Sequence, residues 1–124
     1  MRHRVEVDGH TVFVDEPEES GGTNTAPAPT DLLAAALASC TVMTVEMYAA
    51  RKGWDLAGIE AVVDFAGAPK AGENASFVVD LRLPVGLDPD QIERIEKVAA
   101  KCPVHRTLAS TVEIETGIST LGST

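Results

Sequence analysis

The sequence predicts an α+β fold in which an antiparallel sheet wraps around one long central helix, and three observations carry the prediction. Residues 59–65 and 77–83 place apolar side chains at every second position, the pattern of half-buried strands. Asp8-Gly9, a two-residue turn suited to a hairpin, separates two further short runs of alternating type. Between these pairs, Leu32 to Val45 holds no charged side chain at all. A helix that is apolar on every side is buried on every side.

Taken in order, Arg4–Val7 and His10–Val14 pair across the Asp8-Gly9 turn, with Val5 opposite Val12 and Val7 opposite His10. Glu16 to Pro29 is then a loop with three acids, Gly21-Gly22 and the alternation Ala26-Pro27-Ala28-Pro29. Loops of that length in a small domain are functional or mobile. Thr30 reads as the N-cap of the central helix, with Asp31 placed favourably against the helix dipole. The helix runs from Asp31 to Lys52, with Arg51 and Lys52 in its last turn and Gly53 closing it. Its length of about 33 Å matches the diameter of a small domain. One protomer of this size has too little sheet to cover it, so a second subunit is expected to.

Ile59, Ala61, Val63 and Phe65 form the inward face of one strand, and Phe77, Val79, Leu81 and Leu83 that of the next. The polar segment 67–74 joins them. Asp88-Pro89-Asp90-Gln91 supplies an N-cap, a first-position proline and a capping-box glutamine. Ile92, Ile95 and Val98-Ala99 are the buried stripe of this second helix, which ends near Lys101. Pro103 suits the first position of a short third helix and makes Cys102 its N-cap. Thr111 to Glu115 reads as a last strand, and residues 116–124 as a frayed tail.

Composition narrows the function. The 124 residues form one domain, 1–124, and 44% hydrophobic with 23% charged residues excludes a mostly disordered chain. Ten basic against 19 acidic residues leave a net charge of −9. Nucleic acid and anionic membrane are therefore poor partners, since both need basic patches. The run from Leu32 to Val45 is shorter than the ~20 residues of a membrane span. The start MRHRVEVDGH has no apolar secretory core, so the expected address is the cytoplasm.

Two cysteines remain, Cys40 and Cys102. Cys40 lies mid-helix on the stripe Leu33, Leu37, Cys40, Thr44, Met47, where a cysteine is commonly a small apolar core residue. The helix dipole is weak there, and a thiol in an apolar setting has a raised pKa and is inert unless a cation or base reaches it. Cys102 at a helix start meets unpaired backbone N–H groups, and His105 and Arg106 follow it. It is either a plain cap or an activated thiol. One buried thiol and one at a helix start also suit a dithiol–disulfide cycle, in which a sulfenic acid on one sulfur condenses with the other.

The segment Ala28 to Thr41 (APTDLLAAALASCT), preceded by Gly21-Gly22, resembles the first cysteine motif of the OsmC/Ohr family, the osmotically inducible and organic hydroperoxide resistance proteins. Lys101 to Leu108 (KCPVHRTL) is similar to its second motif, and the likeness extends from Val5 to Ile118. The resemblance implies an OsmC-like fold and an intertwined homodimer with the central helices between subunits. It implies Cys40 as the peroxide-attacking cysteine and Cys102 as the resolving one. It further implies an organic hydroperoxide substrate, regeneration by a dithiol or a lipoylated protein, and no metal or organic cofactor. Two departures stand out. The family's peroxidases carry a Glu ten residues before the first cysteine, where this chain has Thr30 followed by Asp31. They also use an N-terminal Arg, whereas Arg2 and Arg4 here precede the hairpin turn.

The leading reading is a thiol peroxidase for alkyl or fatty-acid hydroperoxides, with Cys40 and Cys102 catalytic and Asp31, His105 and Arg106 as tuning residues. Leu33, Leu37, Met43 and Met47 would wall the substrate. The alternative is a dimeric ligand-binding or redox-sensing protein of the same fold without efficient turnover. A sulfur-transfer or thioester activity at Cys102 is the third.

Overall fold

The computed structural model describes residues 1–122. The elements are β1 (His3–Val7), β2 (His10–Val14), a 3₁₀ turn (Glu18–Ser20), α1 (Pro29–Lys52), β3 (Glu60–Phe65), β4 (Phe77–Arg82), α2 (Pro89–Ala99) and α3 (Pro103–Leu108). β1 and β2 pair antiparallel with Val5 opposite Val12 and Val7 opposite His10. The turn chemistry accounts for that register, because Asp8 and Gly9 both adopt positive φ, 49° and 78°. In the second hairpin Val63 faces Val79 and Phe65 faces Phe77, the two rings stacked with centroids 4.3 Å apart. Ala61, Val63, Phe65, Phe77, Val79 and Leu81 turn inward, and Glu60, Asp64, Asp80 and Arg82 turn to water.

The strands form two separate two-stranded sheets, not one continuous sheet. α1 lies against β3, β4, α2 and α3. Val45 and Ala49 of α1, Leu56 and Ile95 of α2 make the enclosed core, with Trp54, Ile59, Leu81 and Leu83 packed around it. α2 begins as expected: Asp88 accepts the Gln91 N–H at 2.8 Å, and the Gln91 side chain accepts the Asp88 N–H at 3.0 Å. Of its anticipated stripe, Ile95 is buried and Ile92 is exposed.

Two further expectations are corrected. α1 starts at Pro29 with Ala28 as its N-cap, not at Thr30, and the Asp31 carboxylate accepts the Ala28 N–H at 3.0 Å. Proline's fixed φ and missing N–H suit the first helical position, which draws the helix start back past Thr30. Residues 111–120 form no strand and are exposed. Alternating residues become a strand only beside an edge that pairs with them, and no strand of this protomer pairs with 111–115. Of the tail, residues 123–124 lie outside the described residues. Finally, α1 as a whole is long and apolar enough to cross a membrane, with mean hydropathy 1.6 over its best window, although the run from Leu32 to Val45 is not. Here it is the central helix, packed by four other elements. One face stays open, however: Met43 and Met47 are 61% and 64% exposed, and Leu33 is exposed beside them.

Candidate functional site

Two elements bring the cysteines together from positions 62 residues apart. Cys40 sits half-buried in the middle of α1, between buried Leu37 and Thr41 on one side and Thr44 one turn on. Cys102 is held by the tight connection out of α2, in which the Lys101 N–H donates to the Val98 carbonyl at 2.9 Å. As expected, it is the N-cap of α3, with Pro103 at the first position. Its sulfur accepts the His105 N–H at 3.3 Å and is fully enclosed. Both residues are free thiols, and the two sulfurs lie near enough for each to shift the other's pKa.

The surroundings divide the pair. Burial pushes the Cys40 thiol up, but donation from the Cys102 thiol, the Val104 N–H and the Thr44 hydroxyl outweighs it and leaves Cys40 below the ordinary thiol value. For Cys102, burial and the neighbouring Cys40 sulfur raise the pKa, and the His105 N–H and Thr41 only partly oppose them. The lower thiol is therefore the half-exposed one, and the enclosed thiol stays protonated beside it. A mid-helix cysteine has no dipole of its own to use, yet the first turn of α3 delivers the Val104 N–H to it.

The other anticipated residues are distributed unevenly. His105 is exposed, contributes its N–H to Cys102, and lines two cavities of about 200 and 470 Å³. Leu37, Phe77, Val79 and Leu108 complete most of the smaller one, and Thr41, Leu81, Leu83, Ile95 and Glu96 line the larger. Arg106 is exposed with no ion-pair partner among the described residues, and its N–H donates to the Cys102 carbonyl at 3.0 Å. Asp31 precedes Cys40 by nine residues, about 13 Å along the axis and on the opposite side of the helix. Arg2 binds the Thr25 carbonyl at 3.0 Å and stacks over Phe13, and Arg4 pairs with Glu6 at 2.8 Å. Of the anticipated apolar wall, only Leu37 is enclosed; Leu33, Met43 and Met47 lie on the open face of α1. Among the described residues no group of His, Cys, Asp and Glu is placed to hold a metal ion.

The sequence reading passed over Asp15. Its buried carboxylate accepts hydrogen bonds from Thr23 and Thr25, each through both N–H and hydroxyl, and from the Glu16 N–H. Those bonds, Thr23 foremost, hold it well below the usual carboxylate range against the opposing effect of burial. Gly22 is required by the same fold-back, since a Cβ there would lie 2.0 Å from the Glu16 carbonyl oxygen. The loop leading into α1 is thus clamped at its base. An acid ahead of Gly-Gly-Thr-Asn-Thr was the available signal, masked by Glu16, Glu18 and Glu19 beside it.

Fold and site together define a mixed α/β protein with a contacting dithiol between a long helix and a short one. The family model for OsmC-like proteins matches residues 22–117, and the chain belongs to that family. No curated protein matches the sequence. Among solved structures it is similar to a protein from Psychrobacter arcticus 273-4 named for osmotic stress induction and the detoxification response (24% identity, TM-score 0.70, 85% of each chain covered). It is also similar to an organic hydroperoxide resistance protein OsmC from Legionella pneumophila (19%, TM-score 0.62, 88% of each chain). A third is an OsmC-like protein of unknown function from Vibrio cholerae (16%, TM-score 0.70, 88% of this chain and 79% of that one). At these identities the likeness is one of fold.

Proposed function

We propose that this protein is a thiol peroxidase that reduces organic hydroperoxides through a Cys40–Cys102 dithiol/disulfide cycle. The observation that carries the reading is the contact between a lowered Cys40 thiol and an enclosed, protonated Cys102. The Cys40 thiolate attacks the outer oxygen of ROOH, the O–O bond breaks, and the leaving alkoxide takes a proton to become ROH. Cys40 is then a sulfenic acid. Cys102 loses its proton, its sulfur bonds to that of Cys40, and water leaves. A dithiol or lipoylated protein returns both cysteines to thiols. Arg106 adds positive potential beside Cys102, His105 donates its backbone N–H to that sulfur, and Asp31 acts through the start of α1, not at the sulfur. The cycle uses no metal or organic cofactor. That a structural neighbour is named for organic hydroperoxide resistance agrees with this substrate class.

The working unit we propose is a homodimer. The open apolar face of α1 and the unpaired, exposed residues 111–118, with Val112, Ile114 and Ile118 turned to solvent, support it. A second reading, a ligand-binding or redox-sensing dimer, is favoured by one observation: among the described residues no arginine side chain bonds to Cys40, where the family's peroxidases use one.

The two readings separate on one experiment. Reduced protein at neutral pH is mixed with one equivalent of tert-butyl hydroperoxide or hydrogen peroxide, and free thiols and intact mass are followed. Rapid loss of both thiols with loss of two hydrogens' mass, faster for the organic peroxide, supports the peroxidase. Thiols that survive for many minutes reject it. In Cys102→Ser one oxidation should stop at a sulfenic acid, and Cys40→Ser should consume no peroxide.

A further inference from the structure

We propose that the dithiol reductant opens the Cys40–Cys102 disulfide at the Cys40 sulfur, with Cys102 as the leaving thiol. The inference rests on the reading of the pair as a dithiol/disulfide couple and assigns the direction of its reductive half.

In thiol–disulfide exchange a thiolate bonds to one sulfur and pushes out the other. Which sulfur it meets depends on access and on how well the other leaves. Access favours Cys40. Leu33 and Met47 lie seven residues to either side of it, close to two helical turns, so the three share one stripe of α1. Leu33 and Met47 are 44% and 64% exposed and Cys40 between them is half-buried, so a reagent has a path along this stripe to its sulfur.

Cys102 has no such path. It is 0% exposed, and each of its polar atoms is tied into the junction of α2 and α3. Its N–H donates to the Ala99 carbonyl at 3.5 Å, its carbonyl accepts the Arg106 N–H at 3.0 Å, and its sulfur accepts the His105 N–H at 3.3 Å. Two cavities touch α3, and among the described residues neither has a cysteine in its wall.

Leaving ability points the other way. Cys40 is the lower thiol of the two, and a lower thiol leaves faster, by about threefold for each pH unit between them. Reaching an enclosed sulfur requires α3 to lift from α1, which scales the rate down by the fraction of molecules open at any time. An open fraction of about 1% already outweighs the threefold factor. Access therefore decides.

The step balances as follows. One thiolate of the reductant bonds to the Cys40 sulfur, the bond between the cysteines breaks, and Cys102 leaves with the electron pair and takes up a proton. Its sulfur returns to the His105 N–H, where the reduced structure holds it. The reductant's second sulfur, as thiolate, then bonds to the first and releases Cys40, giving two protein thiols and a cyclic disulfide. A hydroperoxide must reach the same sulfur, so one approach serves both halves of the cycle.

The test uses the parent protein with both cysteines. Diamide, not a peroxide, makes the disulfide, so the result does not depend on peroxidase activity. 2-Mercaptoethanol, which can attack but has no second thiol, is added, the mixture is quenched in acid within seconds, and each cysteine peptide is read by mass spectrometry. At the earliest times the adduct should sit on Cys40 at least ten times as often as on Cys102, and the bulkier glutathione should show the same preference. An adduct mainly on Cys102, or divided evenly, overturns the proposal and leaves the peroxidase reading intact. Failure of diamide to join the two cysteines overturns both. Opening at Cys40 of a disulfide that diamide forms and a hydroperoxide does not supports the assignment and rejects the peroxidase alone.

Discussion

Ile95 links the core to the chemistry, and shortening it should weaken both. The side chain is wholly enclosed, against Val45 and Ala49 of α1 and Leu56. Ile95→Val removes one carbon, about 0.8 kcal/mol of transfer free energy. Ile95→Ala removes three, about 2.4 kcal/mol, and leaves a void lined by side chains on a rigid helix that cannot fully close it. With that void included, the cost should be about 3–4 kcal/mol for Ala and about 1 kcal/mol for Val. Urea unfolding at one fixed protein concentration measures both, with the denaturant slope unchanged if the variants lose stability only. The consequence reaches the site because α2 runs into Cys102 through a single hydrogen-bonded turn. Cys102, enclosed in the parent, should label faster with a thiol reagent in Ile95→Ala than in Ile95→Val. A loss below about 1 kcal/mol for Ala, or equal to that of Val, would refute the argument that this cluster anchors α2.

Three further outcomes are expected. The Asp15 carboxyl has a folded pKa below its unfolded value of about 3.9, so its stabilisation is complete above that value and is lost as pH falls toward the folded pKa; Asp15→Asn should flatten the acid limb of a stability–pH curve and destabilise the neutral protein. Gly22→Ala should drive a Cβ into the Glu16 carbonyl, so amides of residues 16–28 should exchange faster while those of β3 and β4 keep their protection. Met43→Lys with Met47→Lys should turn the proposed dimer into monomers in sedimentation velocity, and an unchanged mass would place the subunit contact elsewhere.

Much of the fold was legible because it is local. Asp8-Gly9 sets its own hairpin register, Asp88 and Gln91 cap α2 within four residues, and Cys102-Pro103 starts α3 by the chemistry of two neighbours. What escaped depends on partners distant in sequence. Asp15 finds Thr23 and Thr25 only because Gly22 lets the chain approach closely. Thr111 to Glu115 has the alternation of a strand but no edge beside it in this protomer. At the site, the identity of both cysteines and the capping role of Cys102 were readable. Their approach, and the Val104 N–H that helps set their order, follow from the docking of α3 on α1.

The uncharged stretch of α1 has one more consequence. From Leu32 to Val45 no ion shares the helix with Cys40, and the groups that favour its thiolate are a thiol, an amide and a hydroxyl. Dipoles at contact distance are hardly affected by an ionic atmosphere, whereas exposed charges beyond about 10 Å are screened by ordinary salt. Cys40 reactivity should therefore be nearly independent of ionic strength, and the proposed nucleophile would stay ready in concentrated electrolyte, where a sulfur dependent on a solvent-exposed cation would lose part of its advantage.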